Sequence, residues 1–388
     1  MSTMTALDRH EFTDQIKAEA LHLGFDLVGV TTPDPPPHLD VYESWLAEGR
    51  HGTMAYLGTE RARDRRANPR LILPECQSIL VLAAIYLPHD YPRDQKLQQV
   101  QVATYALGED YHDVLIERMR RLVDFIQTRA GRAVQNRIYT DTGPLLEREL
   151  AQRAGLGWIG KNSCLIHPKL GSFFVLAEIL LDLPLVFDEP FQFDRCGTCT
   201  RCIDACPTGC ILPNRTLDAQ RCISYLTIEE KGAIPAPLRN AIGNWLFGCD
   251  VCQQVCPWNQ RFAKPTLDPA FQPRPFLKTL NLHILLKLKP QTWRQHLRGS
   301  PLLRPKRGGL LRNAAIIAGN QQDPNAIPIL IKLLPDDPEA IVRAHVAWAL
   351  GRIETEESLQ ALQLAQSLEL DPNVILEIEE ALKNRGKV

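Results

Sequence analysis

Eight of the eleven cysteines fall into two interlocking runs: Cys196, Cys199, Cys202 and Cys206 with Pro207 behind them, then Cys222 followed by Cys249, Cys252 and Cys256 with Pro257. Two-residue gaps let successive thiolates converge on one inorganic core, and a proline after the last cysteine stops a helix from carrying it away. The first run has the bacterial two-cluster spacing, in which the fourth cysteine crosses over to the other cluster. By that logic Cys196, Cys199, Cys202 and Cys256 hold one [4Fe-4S] cluster, and Cys206, Cys222, Cys249 and Cys252 hold its neighbour. Structural zinc is the plainer alternative for paired C-x-x-C motifs, but the third close cysteine of the first run and the repeated Cys-Pro favour iron. Cys76, Cys164 and Cys210 remain, and free cysteines are usually small buried hydrophobes. So dense a set of thiols points to a reducing compartment.

The 388 residues suffice for two or three domains, and their apolar and charged fractions are those of an ordinary globular protein. The N-terminus has no basic start followed by an apolar run, and no stretch reaches the roughly 18–20 apolar residues of a membrane span. A cytoplasmic protein with no membrane partner is expected. With a formal net charge of −1, any anionic polymer must be gripped by local basic patches and not by the global field. The candidates are Arg61 to Arg66, Arg118 to Arg121 and Arg294 to Arg307, each with the competing reading of a solvated face.

Along the chain, Glu11 to Leu23 fits a helix ending at Gly24, and Phe25 to Val30 a strand. A helix resumes at Tyr42 to Leu46 after a proline-rich break. Ser78 to Tyr86 reads as a buried strand, Tyr111 to Ala130 as a long amphipathic helix, and Gln135 to Tyr139 as a strand leading into Asp141-Thr142-Gly143-Pro144. Leu145 to Ala154 should then be a helix stopped by Gly155-Leu156-Gly157, and Phe173 to Leu181 another buried strand. Prolines 265, 269, 273 and 275 mark a boundary after the cysteine segment. Beyond it, the segment from Leu311 to Gly319 is echoed by the one from Val342 to Gly351, with Arg312 and Arg343 31 positions apart, and a weaker unit starts near Asp371. That is the pattern of short HEAT-type helical hairpins.

Five segments, read in order, carry a family resemblance: Asp141-Thr142-Gly143-Pro144, Gly155-Leu156-Gly157-Trp158-Ile159-Gly160-Lys161-Asn162, Cys206-Pro207-Thr208-Gly209, Arg221-Cys222-Ile223-Ser224-Tyr225-Leu226-Thr227 and Gly248-Cys249-Asp250-Val251-Cys252. Together they resemble epoxyqueuosine reductase over nearly the whole chain. The resemblance implies an α/β (α+β) cobalamin-binding domain over residues 1–190, a ferredoxin-like two-cluster domain over 191–262 and a C-terminal α-helical HEAT-like domain over 263–388. It further implies reduction of epoxyqueuosine to queuosine at the wobble position of tRNA. Electrons would come from an external low-potential donor and pass through two clusters to cobalamin, in a chain expected to be a monomer.

The same resemblance nominates Asp141 as the proton donor, with a pKa raised by burial under the corrin. The plain alternative for Asp141 is a cap on the following helix. Arg66, Asp141, Thr142, Gly143, Arg148, Lys161, Asn162, Ser224, Asp250 and Val251 match cofactor-binding positions. Lys231, Arg304, Lys306, Arg307, Arg312 and Arg343 are expected to meet tRNA phosphates. Asp110-Tyr111-His112 begins like the D-x-H-x-x-G loop whose histidine ligates cobalt from below, but Leu115 stands where the glycine belongs. Nor do any cysteines show radical-SAM spacing. Two other readings stay open: a reductive dehalogenase-like corrinoid enzyme, and an electron carrier with no catalytic centre.

Overall fold

The two apolar runs Ser78–Ile85 and Phe174–Leu181 are each eight residues long and pair antiparallel along their whole length. Leu27–Thr31 adds to the outer edge of the first and Asn136–Tyr139 to the outer edge of the second. Every pairing in this four-stranded sheet is antiparallel, so the domain is α+β and not a parallel α/β sheet. The Ser78–Ile85 strand is buried at every position, which is why it reads as a continuous apolar run without alternation.

In this computed structural model, residues 6–89 and 100–384 are described. The chain packs as two units, one of residues 1–91, 108–219 and 251–272, the other of 92–107, 220–250 and 273–388. Each unit is assembled from segments distant in sequence. Among the described residues no helix is long and apolar enough to cross a membrane.

In the first unit the Tyr111–Ala130 helix has the predicted limits. Asp110 caps it by accepting from the His112 N–H at 3.1 Å, and Gly131 ends it at φ 63°, a left-handed conformation that glycine adopts without strain. Its inner face buries Leu115, Met119, Leu122 and Ile126. The helix expected from Leu145 begins at Glu147 and runs to Arg153. Its N-cap, Leu146, makes no side-chain capping bond, so neither Asp141 nor Thr142 caps it.

In the second unit the repeat hairpins span Lys306–Gln321, Ile327–Asp336, Ala340–Arg352, Glu356–Leu368 and Pro372–Lys383. Alternate helices stack in two layers: 306–321 on 340–352 on 372–383, and 327–336 on 356–368. Gly319 and Gly351, the echoed glycines of the two repeats, sit where backbones approach closely. A Cβ on Gly319 would lie 2.5 Å from the Trp348 ring, and one on Gly351 2.7 Å from the Ala381 Cβ.

Candidate active site and cluster cavity

Asp141 follows the edge strand Asn136–Tyr139, and Thr140, buried beneath it, fixes the turn by donating to the Leu176 carbonyl at 2.7 Å. Asp141 itself is left-handed at φ 57°, a conformation costing about 1–2 kcal/mol for a residue with a Cβ. Its N–H donates to Glu147 Oε1 at 2.6 Å, while its side chain projects outward and is 67% exposed. Gly143 completes the loop where nothing larger fits, since a Cβ there would lie 2.5 Å from the Tyr139 ring.

The N-terminus of the long helix meets this carboxylate. Tyr111 donates its hydroxyl to Asp141 Oδ2 at 2.9 Å, and His112 Nε2 lies 3.7 Å from the same oxygen. The other imidazole nitrogen is 2.7 Å from Asp110 Oδ1, and the Tyr111 and His112 rings stack at 4.1 Å. Burial opposes a charge on His112, but the two flanking carboxylates outweigh it and push the imidazole up to about 9. Asp141 moves the other way. The His112 bond, against the opposing effect of burial and with help from Tyr111 and Arg148, holds its carboxyl below the ordinary range. The rise expected for Asp141 was tied to burial under a corrin; in the chain by itself Asp141 faces an imidazole and a hydroxyl donor, and both favour its ionised form. His112, set aside in the sequence as a failed cobalt ligand, belongs to this site. Its only signal was position, directly after the cap of a helix.

Four cysteines of the first set, Cys196, Cys199, Cys202 and Cys256, line a common cavity with Lys161, Asn162 and Trp258. Cys256 reaches it as the N-cap of the helix Pro257–Phe262, so the proline starts a new helix as well as ending the old one. The Trp158 indole N–H points at Cys196 Sγ, 3.5 Å away. Trp158 stacks with Phe191 and meets Trp258 edge-on, which gives the thiolates an apolar wall. Lys161 Nζ donates to the carbonyls of Gly197 and Cys199 at 2.7 and 3.0 Å. Asn162, nearly buried, donates to the Cys252 carbonyl at 3.5 Å and accepts from the Cys164 N–H. Both were expected near the corrin, and their polar atoms bond the cysteine segment. Of the second set, Cys206 and Cys252 lie in the first unit and Cys222 and Cys249 in the second. Cys206 Sγ is 3.4 Å from Cys210 Sγ.

The other cofactor positions divide. Thr142 and Arg148 are exposed, with one Arg148 amine donating to the Ser163 carbonyl. Arg66 is buried, its guanidinium 5.5 Å over the Tyr42 ring and bonded to the Ala62 carbonyl. Ser224 and Val251 are half-buried at helix starts. Asp250 is 1% exposed, and its Oδ2 accepts from Thr104 N and Oγ1 at 2.7 and 2.5 Å. Through Oδ2 that carboxylate anchors the 104–106 turn.

The expected phosphate contacts also divide. Arg312 is fully buried, donating to the carbonyls of Leu226, Glu230 and Gly232 at 2.6–2.8 Å. Arg307 is buried against Asp337 and Glu339. Arg343 is held by Glu369 and by the Asp337 carbonyl. Arg307 and Arg312 are therefore structural, not phosphate contacts, and Arg343 is neutralised. Lys231, Arg304 and Lys306 remain exposed, and they are close: Lys231 Nζ is 3.3 Å from the Arg304 carbonyl. Arg304 also forks onto Glu229.

Comparison with known proteins places this geometry. Residues 66–142, which end one residue past Asp141, match the family described as "Epoxyqueuosine reductase QueG, DUF1730". Residues 195–259 match a 4Fe-4S double cluster binding domain, which supports iron over zinc, and 303–383 match HEAT repeats. The epoxyqueuosine reductase of Pseudomonas aeruginosa is 41% identical over 350 residues, 89% of this chain and 95% of that protein. That of Vibrio cholerae is 36% identical over 368 residues, 94% and 98%. A crystal structure of epoxyqueuosine reductase with an epoxyqueuosine-modified tRNA stem loop superposes with a TM-score of 0.88 at 33% identity, covering 96% of this chain and 98% of that one. The Bacillus subtilis enzyme, solved with a catalytic aspartate loop swung out of its active site, gives 0.86 at 32%, with the same coverage. Likeness at this level, over nearly the full length of each relative, means that the chain belongs to the epoxyqueuosine reductase family of oxidoreductases.

Proposed function

We propose that this chain reduces epoxyqueuosine to queuosine in tRNA, with Asp141 as the group that protonates the departing oxygen. The reaction removes an epoxide oxygen as water, taking up two electrons and two protons, and leaves a carbon–carbon double bond. The observation that carries the reading is the exposed Asp141 carboxylate set against a proton-bearing His112, in a family whose solved relative holds the modified tRNA stem loop. His112 supplies the proton at Nε2, Asp141 hands it on from the exposed side of the pair, and Asp110 and Tyr111 hold both in line. A catalytic aspartate loop that swings in the Bacillus subtilis relative supports the same role for the strained Asp141 turn.

The double cluster domain fits a one-electron supply from an external low-potential donor. When bound, cobalamin supplies a metal able to bond carbon and exchange electrons, chemistry that no side chain offers. The exposed polar groups of Asp141, Thr142 and Arg148 suit a ligand rimmed with amides, and they are the residues that would hold it, beside Gly143. Lys161 and Asn162 brace the cluster cavity, where a nearby ammonium offsets the charge of four thiolates. A cytoplasmic location fits a tRNA substrate.

Anaerobic turnover of epoxyqueuosine-containing tRNA by the cobalamin-loaded protein is the test. Conversion to queuosine is expected, and a loaded protein that binds the tRNA without converting it would overturn the reading. For the tRNA surface, reversing charge at Lys231, Arg304 and Lys306 is expected to weaken binding and flatten its salt dependence by about one unit of slope per lost phosphate contact. An unchanged slope removes this patch from the interface.

A further inference from the structure

Glu178 sits in the middle of the Phe174–Leu181 strand, fully buried, with Val81 and Tyr139 as its register neighbours on either side. Neither of its carboxylate oxygens meets a hydrogen-bond donor. An ionised carboxylate cannot be kept there without a partner, because nothing replaces the water it has lost. The group beside it is a second carboxyl, Glu147. Two carboxylates repel, and they bond only when one of them carries a proton. Glu147 Oε1 accepts the Asp141 N–H at 2.6 Å.

We propose that Glu147 and Glu178 form a proton-sharing pair that holds the Asp141 loop in place: Glu178 as the acid donates to Glu147, and Glu147 grips the Asp141 N–H. Both are positioning residues, acting on the chemistry only through Asp141, so the functional part of the inference rests on the reading of Asp141 given above. Burial, reinforced by the neighbouring Asp141 charge, pushes Glu147 up to about 7, and burial together with Glu147 raises Glu178 further. The charged groups facing the pair are Asp141 and Arg148; the first disfavours ionisation of both carboxyls and the second favours ionisation of Glu147. Losing the shared proton leaves two adjacent negative charges under a third, and the loop is released as pH rises. The strained φ of Asp141 then relaxes, which gives the latch a direction.

The test uses the full chain. Infrared spectroscopy at pH 7 is expected to show a protonated carboxyl band that disappears in Glu178→Gln. Hydrogen exchange, corrected for intrinsic rates, should show the Asp141 and Thr142 amides losing protection between about pH 6 and 9 in the wild type, as the shared proton is lost. Glu178→Gln should abolish that pH dependence. Glu147→Ala should lower protection roughly 10-fold or more, the effect of losing a hydrogen bond to a charged group, and lower kcat with KM for tRNA little changed; Glu147→Gln, which keeps an acceptor, should restore much of both. Absence of the band at pH 7, or wild-type protection in Glu147→Ala, overturns the pair. Should Glu178→Gln fail to fold, the wild-type pH series decides. Band and exchange are read without turnover, so they stand or fall separately from the proposed reaction.

Discussion

Replacing Asp141 with Asn is expected to lower turnover by roughly 10²-fold or more, as removal of a general acid does, while iron content and tRNA affinity stay near wild type. The side chain is exposed and keeps its size, so the packing is kept and what changes is the charge that His112 faces. A second readout separates chemistry from structure. Asp141 and Asp110 together hold the proton on His112, against the cost of burial. Without the Asp141 charge, the His112 titration, followed by NMR, should fall from its value near 9 toward the ordinary imidazole range. The sign for stability follows: a pKa raised by folding contributes below about 6.5 and is lost as pH rises through about 9. The variant should therefore lose part of its neutral-pH stability margin and show a shallower alkaline decline. Normal turnover in Asp141→Asn would leave Tyr111 and His112 as the groups to test next.

The other large effect is expected far from the loop. Arg312→Met keeps much of the side-chain volume but removes the donor to the carbonyls of Leu226, Glu230 and Gly232, the first of these bonds buried and the other two partly so. A stranded buried group costs about 1–3 kcal/mol, so the Leu226 carbonyl alone puts the loss on that order, a sizeable share of the roughly 5–15 kcal/mol that holds a typical domain. Burial lowers the Arg312 pKa only to about 10, so the native group is a cation at neutral pH. Thermal unfolding should show a clear drop in midpoint, whereas Arg304→Ala, which removes an exposed ion pair with Glu229, should move it little. An unaltered midpoint in Arg312→Met would mean that water reaches those carbonyls.

The elements that were legible in the sequence are those whose signals are local. Asp110 and Gly131 bracket the long helix, and unbroken apolar runs mark the two central strands. The cysteine spacing carried the cluster domain, since covalent reach limits where such thiolates can go. Pairing order and the antiparallel sheet were not legible, because they depend on residues about a hundred positions apart. Glu178 hid inside an apolar strand, and its meaning comes only from Glu147, 31 positions earlier. Arg307 and Arg312 looked like phosphate contacts because arginine on a repeat helix usually faces solvent. A warning was present: the stretch from Gly308 to Gly319 is apolar nearly all round, and a helix with no polar face puts its arginine inside.

The cavity lined by Cys196, Cys199, Cys202 and Cys256 also sets a timetable for how the protein is made. Its last wall lies 54 residues after the third cysteine, which at about 5–20 residues per second on the ribosome is a wait of roughly 3–10 s. Through that interval three thiols are extruded with nowhere to close. Iron delivery is thus a late event, and cells starved of iron or flooded with oxidant should damage the newborn chain before the finished one.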